Sequence, residues 1–315
     1  MLRAPASFRL DPSDQRPLRA RCAWLVLLVC GAACGCRTFG VRRDGSPKEV
    51  AAARQLTEQG MSAMDRGDWK RAETLLAKAV ATSSTDVDAH RQYAEALLHR
   101  GALHEGLAQL EAARQLAQDD PALAVRTGEV ELAIGRPAEA TSLADEALRQ
   151  DPKYAPAWAL RGRIASAAGQ PRQALADYQR SLGYAPECHE VAIQIAETYR
   201  QLNQPERALL TLQAVADDYS RDNVPQQVLY LQGLALVALS RYGDAASTFG
   251  LAARAERPTA EILCRQAEAE MLAGHVTQAQ SCVQEALAID PQHAGSRVLS
   301  ERMAAMAAAP RPPLR

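Results

Sequence analysis

A pattern that recurs every 34 residues constrains this chain more than any other feature of its sequence. GRPAEA at 135–140 recurs as GQPRQA at 169–174, and related segments follow at the same interval in both directions. A fixed period of this length predicts a stack of repeated structural units. The residue at the start of the pattern, usually Gly, occupies seven slots, at Gly67, Gly101, Gly135, Gly169, Asn203, Ser240 and Gly274.

Each unit contains two amphipathic helical patterns separated by that residue. Gly suits a helix C-terminus because it adopts positive φ without steric cost. Two residues later, Pro137, Pro171 and Pro205 suit the first turn of a helix, where a missing N–H costs nothing. Small residues recur in both helices and predict close packing of the pair. They are Gly60, Ala94, Gly128, Gly162, Ala196, Gly233 and Ala267 in the first helix, and Ala72, Gly106, Ala140, Ala174, Ala208, Ala245 and Ala279 in the second.

At these residues the chain resembles the tetratricopeptide repeat (TPR) family, whose 34-residue unit has a large residue, small residues and a closing Pro in this order. Ser84, Gln118 and Arg257 replace the closing Pro, and the fifth unit has three extra residues around 217–224. The resemblance implies an all-α, right-handed superhelical solenoid of about seven helix-turn-helix units. By motif the units run 53–86, 87–120, 121–154, 155–188, 189–225, 226–259 and 260–293.

The segment after the last unit, 294–308, has the pattern of one more amphipathic helix, which we expect to cap the exposed apolar end of the array. Residues 309–315 are rich in Pro, and we expect a disordered tail. Composition agrees with helix packing, since only 4% of the residues are aromatic while Ala and Leu are abundant. The net charge of −1, without a basic cluster, argues against nucleic acid binding.

The N-terminal 36 residues have the pattern of an export signal. Residues 1–21 are polar and carry five Arg, and the next fifteen residues, 22–36, carry no charge. This run is shorter than a membrane-spanning helix requires. A basic segment followed by a short apolar segment with small residues at its end predicts a secretory signal peptide.

Small residues stand directly before Cys34 and Cys36, which resembles the lipobox of bacterial lipoproteins. The usual Leu three residues before the Cys is replaced by Gly31 or Ala33. The resemblance implies that Cys36 is lipidated, with Cys34 as the second choice. Because no Asp follows either Cys, it also implies an outer-membrane lipoprotein facing the periplasm. The alternative is an uncleaved anchor in the inner membrane. Residues 37–52 are predicted to form a linker.

Motifs for chemistry are incomplete or missing. His104-Glu105 begins like a zinc-binding HExxH, but Ala108 replaces the second His. Cys188-His189-Glu190 are consecutive, so on a helix their side chains point in different directions and cannot form one relay. We therefore expect a protein that is not an enzyme and has no cofactor, metal or small-molecule substrate.

Three cysteines lie outside the signal: Cys188, Cys264 and Cys282. Cys264 and Cys282 fall on the two helices of one unit, so a disulfide is one possibility in an oxidising compartment. Buried free thiols that fill apolar space are the favoured interpretation.

The first helices of a stacked array form its concave wall, where TPR proteins usually hold peptides. In the first helix of the sixth unit, Tyr230, Leu234 and Val237 are predicted to form an apolar stripe that either docks a partner or is covered by packing. TPR proteins that bind the terminal carboxylate of a chaperone use Lys and Asn at fixed positions. This chain has Arg and Glu at those positions, so we do not expect it to bind a chaperone terminus. The predicted groove residues are Arg91, Glu95, Arg126, Glu129, Arg163, Glu197, Arg200, Tyr230, Leu234, Val237, Arg265 and Glu268.

Taken together, the signal and the repeats predict a lipid-anchored, non-catalytic scaffold of the bacterial cell envelope. Its partner would be a peptide or protein held in the groove, for assembly of a secretion, pilus or polysaccharide-export complex. The alternative function is a non-catalytic subunit that positions an envelope enzyme or its substrate.

Overall fold

The computed structural model of the chain describes residues 46–220 and 223–308, and these residues form fifteen α-helices and no strand. The all-α solenoid predicted from the repeat is confirmed. The helices are α1 Pro47–Asp65, α2 Trp69–Thr82, α3 Val87–His99, α4 Leu103–Leu116, α5 Pro121–Ile134, α6 Pro137–Gln150, α7 Ala155–Ala167, α8 Pro171–Tyr184, α9 His189–Gln201, α10 Pro205–Asp217, α11 Gln226–Ala238, α12 Tyr242–Ala255, α13 Ala260–Leu272, α14 Val276–Ile289 and α15 Ala294–Ala308.

The turn inside each unit has the left-handed backbone that its sequence predicts. Gly135, for example, has φ of 89°, and the backbone N–H of the next residue, Arg136, donates to the carbonyl of Glu131 at 2.8 Å. Asn203 and Ser240 take the same conformation with φ of 55° and 59°. The seven predicted turn positions are therefore confirmed, including the two that lack Gly.

The first helix starts earlier than the sequence analysis places it. The segment 37–52 was expected to be a linker, but α1 begins at Pro47. Ser46 and Glu49 form a reciprocal capping box, in which the backbone N–H of Ser46 donates to Oε2 of Glu49 at 2.6 Å. Since this box satisfies the free N–H groups of the first turn, the helix extends back to it.

Close packing within a unit depends on the small residues. A Cβ added to Gly162 would lie 2.5 Å from the Tyr178 ring, and one added to Gly233 would lie 2.5 Å from the Phe249 ring. Tyr178 and Phe249 are fully buried. The two helices of a unit therefore pack around one large side chain that fits against a backbone without a side chain of its own.

The units stack so that their first helices form one wall. Three pairs of neighbouring first helices contact each other, α1 with α3, α5 with α7 and α9 with α11, whereas no two second helices of the described residues make a comparable contact. The first helices, α1, α3, α5, α7, α9, α11 and α13, are therefore closer together, and we call their shared surface the inner wall.

The last helix, α15, packs on α13 and α14 through the buried side chains of Leu299 and Met303. Val224, just before α11, is buried in the core that α9–α13 share. No helix of the described residues is long and apolar enough to span a membrane. The predicted signal with Cys34 and Cys36, most of the predicted linker, and the predicted tail at 309–315 lie outside the described residues.

Candidate functional site

All twelve predicted groove residues lie on first helices, between α3 and α13. Eleven of them are half-buried, and Arg200 is exposed. For comparison between units, each unit is numbered from its first residue, so that repeat position 9 is Glu95 in the second unit. The same position carries Glu129, Arg163, Glu197, Leu234 and Glu268 in the units that follow.

In the first part of the wall, charged residues are joined across units. Arg126 on α5 donates from Nε and Nη2 to both carboxylate oxygens of Glu95 on α3, at 2.7 and 2.6 Å. It also donates from Nη1 to Glu129 at 2.8 Å, and Arg163 on α7 donates to the other oxygen of Glu129. We call these four residues the ion-pair ladder. It links three consecutive units.

The ladder is held firmly at its centre. Hydrogen bonds to Glu95 raise the pKa of the Arg126 guanidinium above its ordinary value, and those to Glu129 add to the effect, although burial opposes it. Each carboxylate of the ladder is satisfied by an arginine of the same chain. These charges therefore orient the wall and are already paired before a partner binds.

In the second part of the wall, charged residues pair within their own helix. Arg200 donates to Glu197 at 2.6 Å on α9. Arg265 donates to Glu261 at 2.8 Å and to Glu268 at 3.0 Å, all on α13. These pairs do not tie one unit to the next.

The apolar stripe of Tyr230, Leu234 and Val237 lies between these pairs on α11. Its three residues are half-buried and pack against the core that contains Phe249. The Tyr230 ring centroid is 5.9 Å from that of Phe249. The stripe therefore packs inward with one side while the other side remains on the inner wall, since α15 packs on α13 and α14 instead.

Glu261 was missed by the sequence analysis, although it joins three segments. It accepts hydrogen bonds from the Tyr230 hydroxyl at 3.3 Å and from Arg265 at 2.8 Å, and its second oxygen lies 3.2 Å from Nε2 of His293. Burial alone would raise the pKa of Glu261, but the bonds from Arg265, His293 and Tyr230 outweigh it and lower the pKa. Two of its partners, Tyr230 and His293, lie 31 and 32 residues away in the sequence, so no local motif shows that it joins these segments.

A pocket of about 210 Å³ opens between α7, α8 and α9. Ala155, Ala159 and Arg163 of α7, Tyr178 of α8, and Val191 and Gln194 of α9 line it. Arg163 and Glu129, which also lines the pocket, were among the predicted groove residues. A sequence feature that coincides with the pocket is a small residue at repeat position 5. Ala159 stands there, whereas the other units carry Thr57, Arg91, Val125, Ile193, Tyr230 and Cys264.

The cysteines of the described residues are free thiols. Cys264 and Cys282 are buried, and burial raises the pKa of both, that of Cys282 to about 11. Cys188 is half-buried and lines the pocket. Its neighbour His189 contacts Asp218 at 2.9 Å and Tyr219 at 3.1 Å in the following loop. The described residues contain no cluster of His, Cys, Asp and Glu suited to a metal ion.

Comparisons with known proteins agree with this architecture. Family models described as tetratricopeptide repeat match residues 63–127, 165–228 and 230–294, which together make up more than half of the chain. A search of curated proteins found no matching sequence.

Several solved structures have a similar fold. A tetratricopeptide repeat protein from Parabacteroides merdae is 13% identical with a TM-score of 0.58, over 81% of this chain and 99% of that one. YrrB, described as a TPR protein with an unusual peptide-binding site, is 16% identical with a TM-score of 0.52, over 61% and 97%. PilF of Pseudomonas aeruginosa is 15% identical with a TM-score of 0.50, over 81% and 99%.

Proposed function

Because the chain belongs to the tetratricopeptide repeat family, we propose that it is a non-catalytic scaffold of the bacterial cell envelope that holds a peptide or protein partner on its inner wall. TPR proteins bind protein or peptide partners. The observation that carries the proposal is the inner wall itself, a surface formed by seven first helices with half-buried apolar and charged side chains.

The wall is suited to binding because much of it is ordered in advance. The ion-pair ladder fixes long side chains that would otherwise lose rotamer freedom on binding, and such preorganisation favours affinity. The apolar stripe on α11 supplies surface that gains free energy when a partner removes it from water. YrrB, which has a similar fold, is described as having a peptide-binding site.

The envelope part of the proposal rests on the sequence of residues 1–36. Cleavage before Cys36 and lipidation of that residue would tether the scaffold to a membrane. A single acyl chain gives weak attachment, whereas several suffice for a stable anchor. The tether would raise the local concentration of the scaffold beside partners in the same membrane. Within the envelope, we propose assembly of a secretion, pilus or polysaccharide-export complex.

Partner binding can be tested with two matched Leu-to-Arg variants. Leu234 lies on the inner wall, and Leu210 lies on the second helix α10 with 65% of its surface exposed. After crosslinking of intact cells, we expect tagged wild type and Leu210→Arg to capture the same partner and Leu234→Arg to lose it. Capture that is unchanged in Leu234→Arg would contradict binding at the stripe. If an enzyme activity is captured with wild type and Leu210→Arg but not with Leu234→Arg, the result would favour the alternative function, a non-catalytic subunit that positions an enzyme or its substrate.

The anchor is tested separately by mass spectrometry of the full chain purified from membranes. We expect a mass that lacks residues 1–35 and carries acyl chains, and we expect Cys36→Ser to retain the signal while Cys34→Ser is processed normally. Retention of residues 1–35 in wild type would contradict the lipoprotein and support an uncleaved anchor.

A further inference from the structure

The pocket between α7, α8 and α9 lies at a unit with a small side chain on its first helix. Ala159 occupies the repeat position that carries a larger side chain in every other unit, including Val125 and Ile193 in the two neighbouring units. Ala159 is half-buried and lines the pocket. The fourth unit therefore leaves a recess in the inner wall at the point where its neighbours fill the space.

Two hydrogen-bond donors at this recess have no partner. The Tyr178 side chain is 1% exposed, and its hydroxyl makes no hydrogen bond within the described residues. Nε of Arg163 is also buried and makes no hydrogen bond within the described residues, whereas its Nη2 is paired with Glu129. Buried polar groups of native proteins are nearly always satisfied. Burial raises the pKa of Tyr178 to about 12, so the hydroxyl keeps its proton and can donate it.

The charges around the recess select the kind of acceptor. Arg163 is the only cation among the lining residues, and it is already paired with Glu129. Glu190 adds a second carboxylate to the lining. Because the two carboxylates are opposed by only one arginine, a carboxylate of the partner would be repelled. A neutral carbonyl oxygen accepts hydrogen bonds without that repulsion.

The size of the recess selects the kind of side chain. Pockets for drug-sized ligands are usually larger, about 300–1,000 Å³. An apolar cavity of about 150 Å³ holds benzene. A pocket of about 210 Å³ therefore suits one branched aliphatic side chain or one aromatic ring.

We propose that this pocket binds one apolar side chain of an extended partner segment, while a backbone carbonyl of that segment accepts hydrogen bonds from Tyr178 and Arg163. The proposal rests on the proposed function, since it assigns a specificity pocket to peptide binding on the inner wall. It places the anchor residue of the partner on the fourth unit.

The test uses the full chain, purified in detergent, and peptides selected on it from a display library of random short sequences. We expect the selected peptides to share one apolar residue at a fixed place. Ala159→Ile, which fills the pocket with the residue of the fifth unit, is expected to weaken their binding by about tenfold or more. Ala138→Ile, an exposed change on the second helix α6, is the control and should leave binding unchanged.

Tyr178→Phe tests the hydrogen bond separately from folding. It retains the ring and removes the unpartnered hydroxyl, so we expect the midpoint of unfolding to stay the same or rise while peptide binding weakens about two- to tenfold. Equal binding by wild type and Tyr178→Phe would exclude this hydrogen bond.

Cys188 provides a measurement that needs no substitution. Because this thiol lines the pocket, a bound peptide should slow its alkylation by N-ethylmaleimide, as measured by peptide mapping. If a peptide binds tightly but neither slows this alkylation nor is weakened by Ala159→Ile, the result would contradict binding in the pocket. It would not contradict binding elsewhere on the inner wall. Failure to select any peptide would count against both the pocket and the proposed function.

Discussion

Repeat position 6 carries an arginine in both the third and the seventh unit, but the two arginines make different ion pairs. Arg126 reaches Glu95 in the preceding unit, whereas Arg265 pairs only within its own helix. The repeat thus fixes where a side chain starts on the inner wall. What that side chain does depends on the residue that the neighbouring unit presents.

The comparison extends to the two parts of the wall. In the second to fourth units, the ion-pair ladder joins neighbours, and the wall is charged and ordered. In the fifth to seventh units, Arg200 and Arg265 pair within their own helices and the apolar stripe lies between them. We infer that the ion-pair ladder orients the array, and that the stripe on α11 and the pocket between α7, α8 and α9 supply surface for a partner.

The largest expected effect comes from packing that both parts share. Gly162→Val and Gly233→Val each bring a Cβ to 2.5 Å from a buried ring, so each should lower the free energy of unfolding by about 2–3 kcal/mol. Gly183→Val is the control, because a Cβ there meets no atom within 4 Å. Chemical denaturation measures all three. If either glycine tolerated Val as Gly183 does, the two parts would differ in packing and not only in charge.

Arg126→Met tests whether the ladder joins units. It retains most of the side chain's length but leaves Glu95 and Glu129 half-buried without their shared partner. We expect the free energy of unfolding to fall by about 1–2 kcal/mol, which is between the contributions of exposed and of buried ion pairs. Denaturation at low and high salt measures it. A loss near zero would remove the distinction between the two parts of the wall.

Arg265→Met is the matched change at the same repeat position. Its ion pairs lie within one helix and are partly exposed, so we expect the free energy of unfolding to fall by about 0.5 kcal/mol or less. The same denaturation experiment measures it. A loss equal to that of Arg126→Met would show that pairing across units adds nothing to pairing within one helix.

How much of this could be predicted from sequence differs between features. The turn positions are predictable because each depends on local backbone geometry, which Gly135 and even Asn203 and Ser240 satisfy. The start of α1 was also present in the sequence, since Ser46, Pro47 and Glu49 form a local capping signature, although the absence of periodicity in 37–52 favoured a linker.

The contacts between units could not be predicted in the same way. Glu95 and Arg126 lie 31 residues apart, and whether they meet depends on how the helices pack. The unpartnered hydroxyl of Tyr178 is likewise a property of the assembled core. Ala159 is the exception, because alignment of the seven units shows it as a small residue in a row of larger ones.

The smallest expected effect concerns Glu261 and pH. Its folded-state pKa is lowered from an ordinary value of 4.5, so its contribution to stability is present above that value and is lost as pH falls through the lower folded-state pKa. Glu261→Gln should therefore reduce stability at neutral pH by about 0.5 kcal/mol or less, and the difference should disappear in acid. Thermal unfolding across pH measures it. A difference that grows in acid would contradict this assignment.

Site-specific photo-crosslinking in cells tests the role of the inner wall most directly. A photoreactive amino acid is placed at Leu234 on the inner wall and, in separate variants, at Leu210 and Leu251, which are exposed on the second helices α10 and α12. We predict a partner crosslink at Leu234 and none at Leu210 or Leu251. Crosslinks at the second helices without one at Leu234 would contradict binding on the inner wall.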